Sequence, residues 1–171
     1  RTMLYDAGQL GDPSAGVHAI SEFLWDRGVT RLDAVVLSHP DIDHYNALPG
    51  LLKKFSVGEV LVSPLMFRKN AHTIRVLHSA IEGHGVPMRE VRAGDRLADA
   101  DGCVVEVLYP PLYGVVGNDN ANSVVLAVDY RGRQILLHGD LESPGLDALL
   151  AEAPRRCAVL LAPHHGSRKS N

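Results

Sequence analysis

The feature that most limits what this chain can fold into is the run Ser38-His39-Pro40-Asp41-Ile42-Asp43-His44, directly behind the apolar stretch Asp33-Ala34-Val35-Val36-Leu37. An apolar run of that length reads as a short buried strand. A loop leaving a strand turns alternate side chains inward, so His39 and Asp41 are set to meet one cation while Asp43 and His44 meet a second. Imidazole and carboxylate donors suit divalent zinc, iron or manganese. The plainer reading is a solvated acidic loop with a helix N-cap at Asp43. Four ligand-type side chains between positions 39 and 44 weigh against it.

The chain has 171 residues, 46% hydrophobic and 22% charged, enough for one well-packed core and too few for two ordinary domains. Strands alternate with helices, the pattern of an α/β layered fold. Leu4-Tyr5 ends at Asp6-Ala7-Gly8. Ser14 is the expected N-cap of a helix with Val17, Ile20 and Leu24 on one face and Gly28 at its end. A helix is expected from Ala47 to Phe55, a strand over Glu59-Val60-Leu61-Val62, and a helix carrying Ile74, Leu77 and Ile81.

The second half is richer in strands. Cys103 to Leu108 reads as one, and Ser123 to Asp129 pairs with Gln134 to Leu137 across Tyr130-Arg131-Gly132-Arg133, a hairpin signal. Ser143 and Pro144 are expected to open a helix running to Glu152, and Cys157 to Ala162 to form the strand that delivers Pro163-His164-His165. Met3-Leu4-Tyr5 is a strand at the first residues, and only Gly166 to Asn171 follow the last histidine. Both ends therefore read as cut from something longer, making 1–171 a truncated single domain.

Composition narrows the function little. A net charge of −3 gives no global attraction to DNA or anionic lipid, so a polyanion would need a local basic patch or bound metal. Cys103 and Cys157 each lie in an aliphatic run and read as two reduced core residues rather than a disulfide framework. No stretch approaches the ~20 apolar residues of a membrane span, so membrane contact by this stretch is not expected. His18, His72, His78 and His84 lack any ligand context and read as surface residues.

Ser38 to His44 resembles the metallo-β-lactamase-fold motif His-x-His-x-Asp-His, with Asp41 where the second histidine stands. That departure resembles the ComEC family of DNA-internalisation competence proteins, whose domain of this fold carries Ser-His-x-Asp-x-Asp-His. The family's other motifs follow in order: Asn118-Asp119-Asn120-Ala121-Asn122-Ser123, Leu136-Leu137-His138-Gly139-Asp140, and His164-His165-Gly166-Ser167. Tyr5-Asp6-Ala7-Gly8 resembles the family's early strand end. The resemblance spans nearly the whole chain and implies a metallo-β-lactamase αββα sandwich.

It also implies a ligand set for two divalent metal ions, manganese or zinc: His39, Asp41, Asp43, His44, Asp140 as the bridging carboxylate, and His164. Asp43, Asp140 and a substrate-facing His165 are the expected catalytic residues. Consecutive side chains after a strand diverge, so at most one of His164 and His165 is expected to bind metal, with the other facing substrate or a supporting partner. His138 stands where the family has a small residue and reads as packing. The wider fold has a further histidine between the first cluster and Asp140, absent here; either Asn120, Asn122 or Ser123 substitutes, or water completes the shell. Asn122 and Ser123 are alternatively phosphate-orienting groups or turn formers, and Ser167 and Lys169 are further candidates.

Three functions compete. The resemblance favours a phosphodiesterase degrading DNA during competence-related uptake, at the extracytoplasmic face of a bacterial inner membrane and attached to the rest of a longer, membrane-embedded chain. Arg168 and Lys169 would then touch phosphate, while Arg68 and Lys69 read as solvated charges. A small-molecule esterase, phosphorylcholine esterase-like or lactonase-like, would use the same metals. A non-catalytic metal-binding module would show a closed shell.

Overall fold

The computed structural model describes residues 1–68, 71–153 and 155–167. Their contacts divide into two compact units, one of Arg1–Val62 with Met66–Glu90, the other of Ser63–Leu65 with the described residues from Val91 onward.

The first unit alternates strand and helix: β1 (Met3–Tyr5), α1 (Pro13–Asp26), β2 (Arg31–Leu32), β3 (Ala34–Leu37), α2 (Ile42–Tyr45), α3 (Leu48–Leu51), β4 (Ser56–Val57), β5 (Val60–Val62), α4 (His72–Gly83) and β6 (Met88–Glu90). Its sheet has the order β1-β3-β5-β6, all parallel, and β2 pairs separately with β4. Parallel strands covered on both faces need no polar alternation, and β3 and β5 are buried at every position. Leu24, Leu32, Leu37, Leu48, Leu51, Ile74, Leu77 and Ile81 fill the core. Each such aliphatic side chain contributes roughly 1.5–3 kcal/mol.

Helix α1 begins one residue before the expected cap. Asp12 is the N-cap, accepting from the Ser14 amide at 2.9 Å, and Pro13 takes the first helical position, where its missing N–H costs nothing. The helix expected over Ala47–Phe55 is instead a short one at Leu48–Leu51 preceded by α2. Gly50, a weak helix former, stands inside this stretch and lies so close to Val17 of α1 that a Cβ there would collide with it.

The second unit holds β7 (Arg96–Ala100), β8 (Cys103–Tyr109), β9 (Val125–Tyr130), β10 (Arg133–Leu137), α5 (Gly145–Leu150) and β11 (Val159–Leu160). The sheet order is β11-β10-β9-β8-β7, antiparallel except for the parallel pair β10/β11. Tyr109, Val125 and Leu141 form a core cluster with Leu146 and Leu149 of α5 packed against it.

Ser143 does not cap α5: Pro144 holds the N-cap position without a side-chain bond, and the helix ends at Leu150. The strand expected over Cys157–Ala162 shrinks to the exposed pair Val159–Leu160, since β11 lies at the sheet edge with only β10 beside it. Cys157 is consequently exposed and Cys103 half-buried, so neither is a core residue, though both thiols are free as expected. Among the described residues no helix is long and apolar enough to cross a membrane.

Candidate metal centre

Each unit places a group of acid and histidine side chains where parallel strands end, the usual location of sites in α/β sheets. In the first unit, β1 and β3 run side by side with Tyr5 opposite Val36, so the residues that follow, Asp6 and Ser38, become neighbours. The Asp6 amide donates to Val36 O at 2.8 Å, and Asp6 adopts φ 58°, a left-handed conformation that Asp tolerates better than most residues. From there Ala7 clasps the next loop, donating to His44 O at 2.8 Å and accepting from the Ala47 amide at 2.9 Å. Gly8 is required by the same approach, because a Cβ would run into the Asp43 carbonyl and the Tyr45 amide.

The Asp6 carboxylate then organises both histidines. Oδ1 accepts from the Ser38 amide at 2.7 Å, and Oδ2 accepts from Ser38 Oγ at 2.9 Å and from His44 Nδ1 at 2.8 Å. An ionised carboxylate only accepts, so Ser38 spends its one proton on Asp6, and its oxygen at 2.9 Å from His39 Nδ1 receives the imidazole N–H. Both rings therefore carry their proton on Nδ1 and present Nε2 as a lone pair, the arrangement a metal ligand needs.

These residues fit a divalent cation. His39 is fully buried, and its Nε2 makes no hydrogen bond among the described residues. An unsatisfied buried polar atom costs ~1–3 kcal/mol, which ligation removes. The Asp41 carboxylate lies 3.5 Å from that nitrogen and the Asp43 carboxylate 3.8 Å from His44 Nε2. Asp41, not Asp43, occupies the N-cap of α2, and its side chain makes no cap bond. The imidazoles of His39 and His44 are 4.2 Å apart between centroids. Tyr45 is held above the ordinary phenol range by burial, an effect the Thr73 side chain opposes and the Asp41 charge reinforces.

In the second unit, β10 and β11 run parallel with Leu136 opposite Leu160, which brings Asp140 and the 163–166 turn together. The His164 amide donates to Gly139 O at 3.1 Å. His164 and His165 have φ of 45° and 52°, and Gly166 follows at 76°. Asp140 Oδ2 lies 3.5 Å from His165 Nε2 and 3.8 Å from His164 Nε2. His165 is the more exposed, with 65% of its side chain accessible against 27% for His164.

Glu142, which the sequence alone did not single out, is buried against His164. The signal available was a second carboxylate two residues after Asp140 in the chain. His138 is buried with its Nδ1 making no hydrogen bond among the described residues, and burial depresses its pKa despite a hydrogen bond with the Leu161 backbone.

The asparagine-rich segment is buried. The Asn122 side chain donates to Val115 O at 3.0 Å and accepts from the Val115 amide at 2.7 Å, so its amide shapes the 112–116 loop. Asn120 is 8% exposed, and Ser123 is fully buried with its Oγ making no hydrogen bond among the described residues. Ser167 donates its amide to His164 O at 2.8 Å. Lys69, Arg168 and Lys169 lie outside the described residues. Arg68, His18, His72 and His84 are exposed, whereas His78 is half-buried.

Comparison with known proteins places these geometries in context. The chain is 35% identical over 158 residues to ComE operon protein 3 of Bacillus subtilis, covering 92% of this chain and 20% of that protein. It is 28% identical over 173 residues to Competence protein ComA of Neisseria gonorrhoeae, covering 100% and 22%. The chain thus spans about a fifth of the length of these relatives. Among solved structures, a metallo-beta-lactamase-type protein from Thermotoga maritima superposes with TM-score 0.55 at 15% identity, over 81% of this chain and 62% of that one. The model of the Metallo-beta-lactamase superfamily matches residues 1–171, and the chain belongs to that superfamily, with its metal-dependent hydrolase fold.

Proposed function

We propose that this chain is a dinuclear metal-dependent phosphodiesterase that cleaves DNA in the service of DNA uptake. The observation that carries the metal assignment is the buried His39 Nε2, unbonded among the described residues, in a ring oriented through Ser38 by Asp6. The competence names of its relatives support DNA as substrate. The ligands are His39, Asp41, Asp43, His44, Asp140 and His164. Bound there, divalent cations would lower the pKa of a water molecule and neutralise charge on the phosphate.

The chain's own groups do the rest. Asp6 and Ser38 hold the imidazole nitrogens of His39 and His44 in the ligating tautomer. The exposed His165 faces substrate and serves the phosphate or the departing oxygen. Asp41 supplies a hard oxygen donor where the wider fold has an imidazole, which favours manganese over zinc for activity.

The test is to strip the protein, restore one metal at a time, and assay single-stranded DNA, double-stranded DNA and a phosphorylcholine ester, on wild type and Asp41→His. The reading expects DNA cleavage restored best by manganese, with Asp41→His shifted toward zinc. Turnover of the choline ester alone contradicts the substrate, and an unshifted metal ranking in Asp41→His contradicts the role of Asp41.

A further inference from the structure

We propose that Glu142 is a positioning residue, which fixes His164 with its Nδ1 protonated and its Nε2 presented as a ligand nitrogen. This rests on the reading of His164 as a metal ligand. Glu142 is 7% exposed, and a buried carboxylate is costly unless it is partnered. Its Oε1 accepts from His164 Nδ1 at 2.5 Å, and its Oε2 accepts from Asn118 Nδ2 at 3.0 Å. The Asn118 amide cannot flip without loss, because its Oδ1 already accepts from the Ala121 backbone at 2.9 Å. One carboxylate oxygen is therefore braced from the asparagine-rich segment, and the other is aimed at the histidine.

An ionised carboxylate offers no proton, so the short contact requires the imidazole proton on Nδ1. The lone pair then lies on Nε2, the nitrogen 3.8 Å from Asp140 Oδ2. His164 needs such a brace more than an ordinary strand residue would. Its backbone sits at φ 45°, ψ 53°, a left-handed conformation that a non-glycine residue rarely adopts. Glu142 also starts from a fixed point: its carbonyl accepts from Leu146 at 3.0 Å, and Leu141 before it is fully buried. It does for His164 what Asp6 does for His44.

The experiment compares wild type, Glu142→Gln, Glu142→Ala and His164→Asn. The first readout is the pair of ring nitrogen shifts of His164 in metal-free protein, at a pH where the imidazole is neutral. The second is manganese affinity, from free-ion spin resonance during titration. Glu142→Gln keeps the side-chain volume, and cooperative unfolding checks that it folds even if the alanine variant does not.

The proposal expects an Nδ1–H ring in wild type, a shift toward Nε2–H in Glu142→Gln, and manganese affinity lower by ~10–100-fold. An Nε2–H ring in wild type overturns it, as does a Glu142→Gln variant with tautomer or affinity unchanged. If affinity falls in His164→Asn but not in Glu142→Gln, only the role of Glu142 fails. If His164→Asn binds manganese as wild type does, it is the ligand assignment of His164 that fails.

Discussion

Asp6 carries more of the first donor set than any residue of the His39–His44 run. It accepts three hydrogen bonds from Ser38 and His44 while holding a left-handed backbone. Bonds to a charged acceptor are worth roughly 1.5–3 kcal/mol each, so Asp6→Ala is expected to destabilise the metal-free protein by about 3 kcal/mol or more. It should also weaken metal binding by ~10–100-fold. Urea unfolding and metal titration of the same stripped sample check both, and an unchanged metal affinity would mean that His39 and His44 orient without Asp6. His39 to His44 were legible because ligand-type residues cluster within the chain itself. Asp6 was visible only as a strand-end motif, since its bonds depend on β1 lying beside β3. Glu142 was not seen at all, because nothing in a sequence pairs it with a histidine at position 164.

The elements carry these residues to their places by ending together. Apolar runs announced β3, β5, α4, β8 and the β9/β10 hairpin close to their observed bounds, because burial on a fixed face leaves a pattern in sequence. The errors fell where one local competitor won: Asp12 over Ser14 at the start of α1, Gly50 against a long helix, and an edge position against a long β11. Tyr109, at the end of β8, links that strand to the asparagine-rich turn by donating to Ala121 O at 2.9 Å. Burial pushes its phenol up to about 12, above the ordinary phenol value of 10.0.

A raised acid pKa means that the unfolded chain ionises first. The contribution of Tyr109 is thus intact below pH 10.0 and is lost as pH rises from there toward about 12. Tyr109→Phe is expected to be less stable than wild type at neutral pH by ~1 kcal/mol, the worth of one hydrogen bond. It should lose less stability than wild type between pH 10 and 12. Denaturant midpoints across that range measure the difference. Parallel curves for the two proteins would show that Tyr109 does not ionise differently on unfolding.

For the whole molecule, membership of the superfamily gives the fold, and the strand ends give two sets of nitrogen and oxygen donors, each built within its own unit. Under the proposed function, both sets are needed for metal-dependent hydrolysis. Asp43 and Asp140 represent one set each, and neither is the only carboxylate in its own. The most direct measurement is therefore single-stranded DNA cleavage by manganese-loaded wild type, Asp43→Ala and Asp140→Ala, with bound metal quantified in each sample. Wild type is expected to cleave, both variants to lose cleavage by at least ~1000-fold, and each to bind less metal. Full turnover in either variant with metal content unchanged would contradict it.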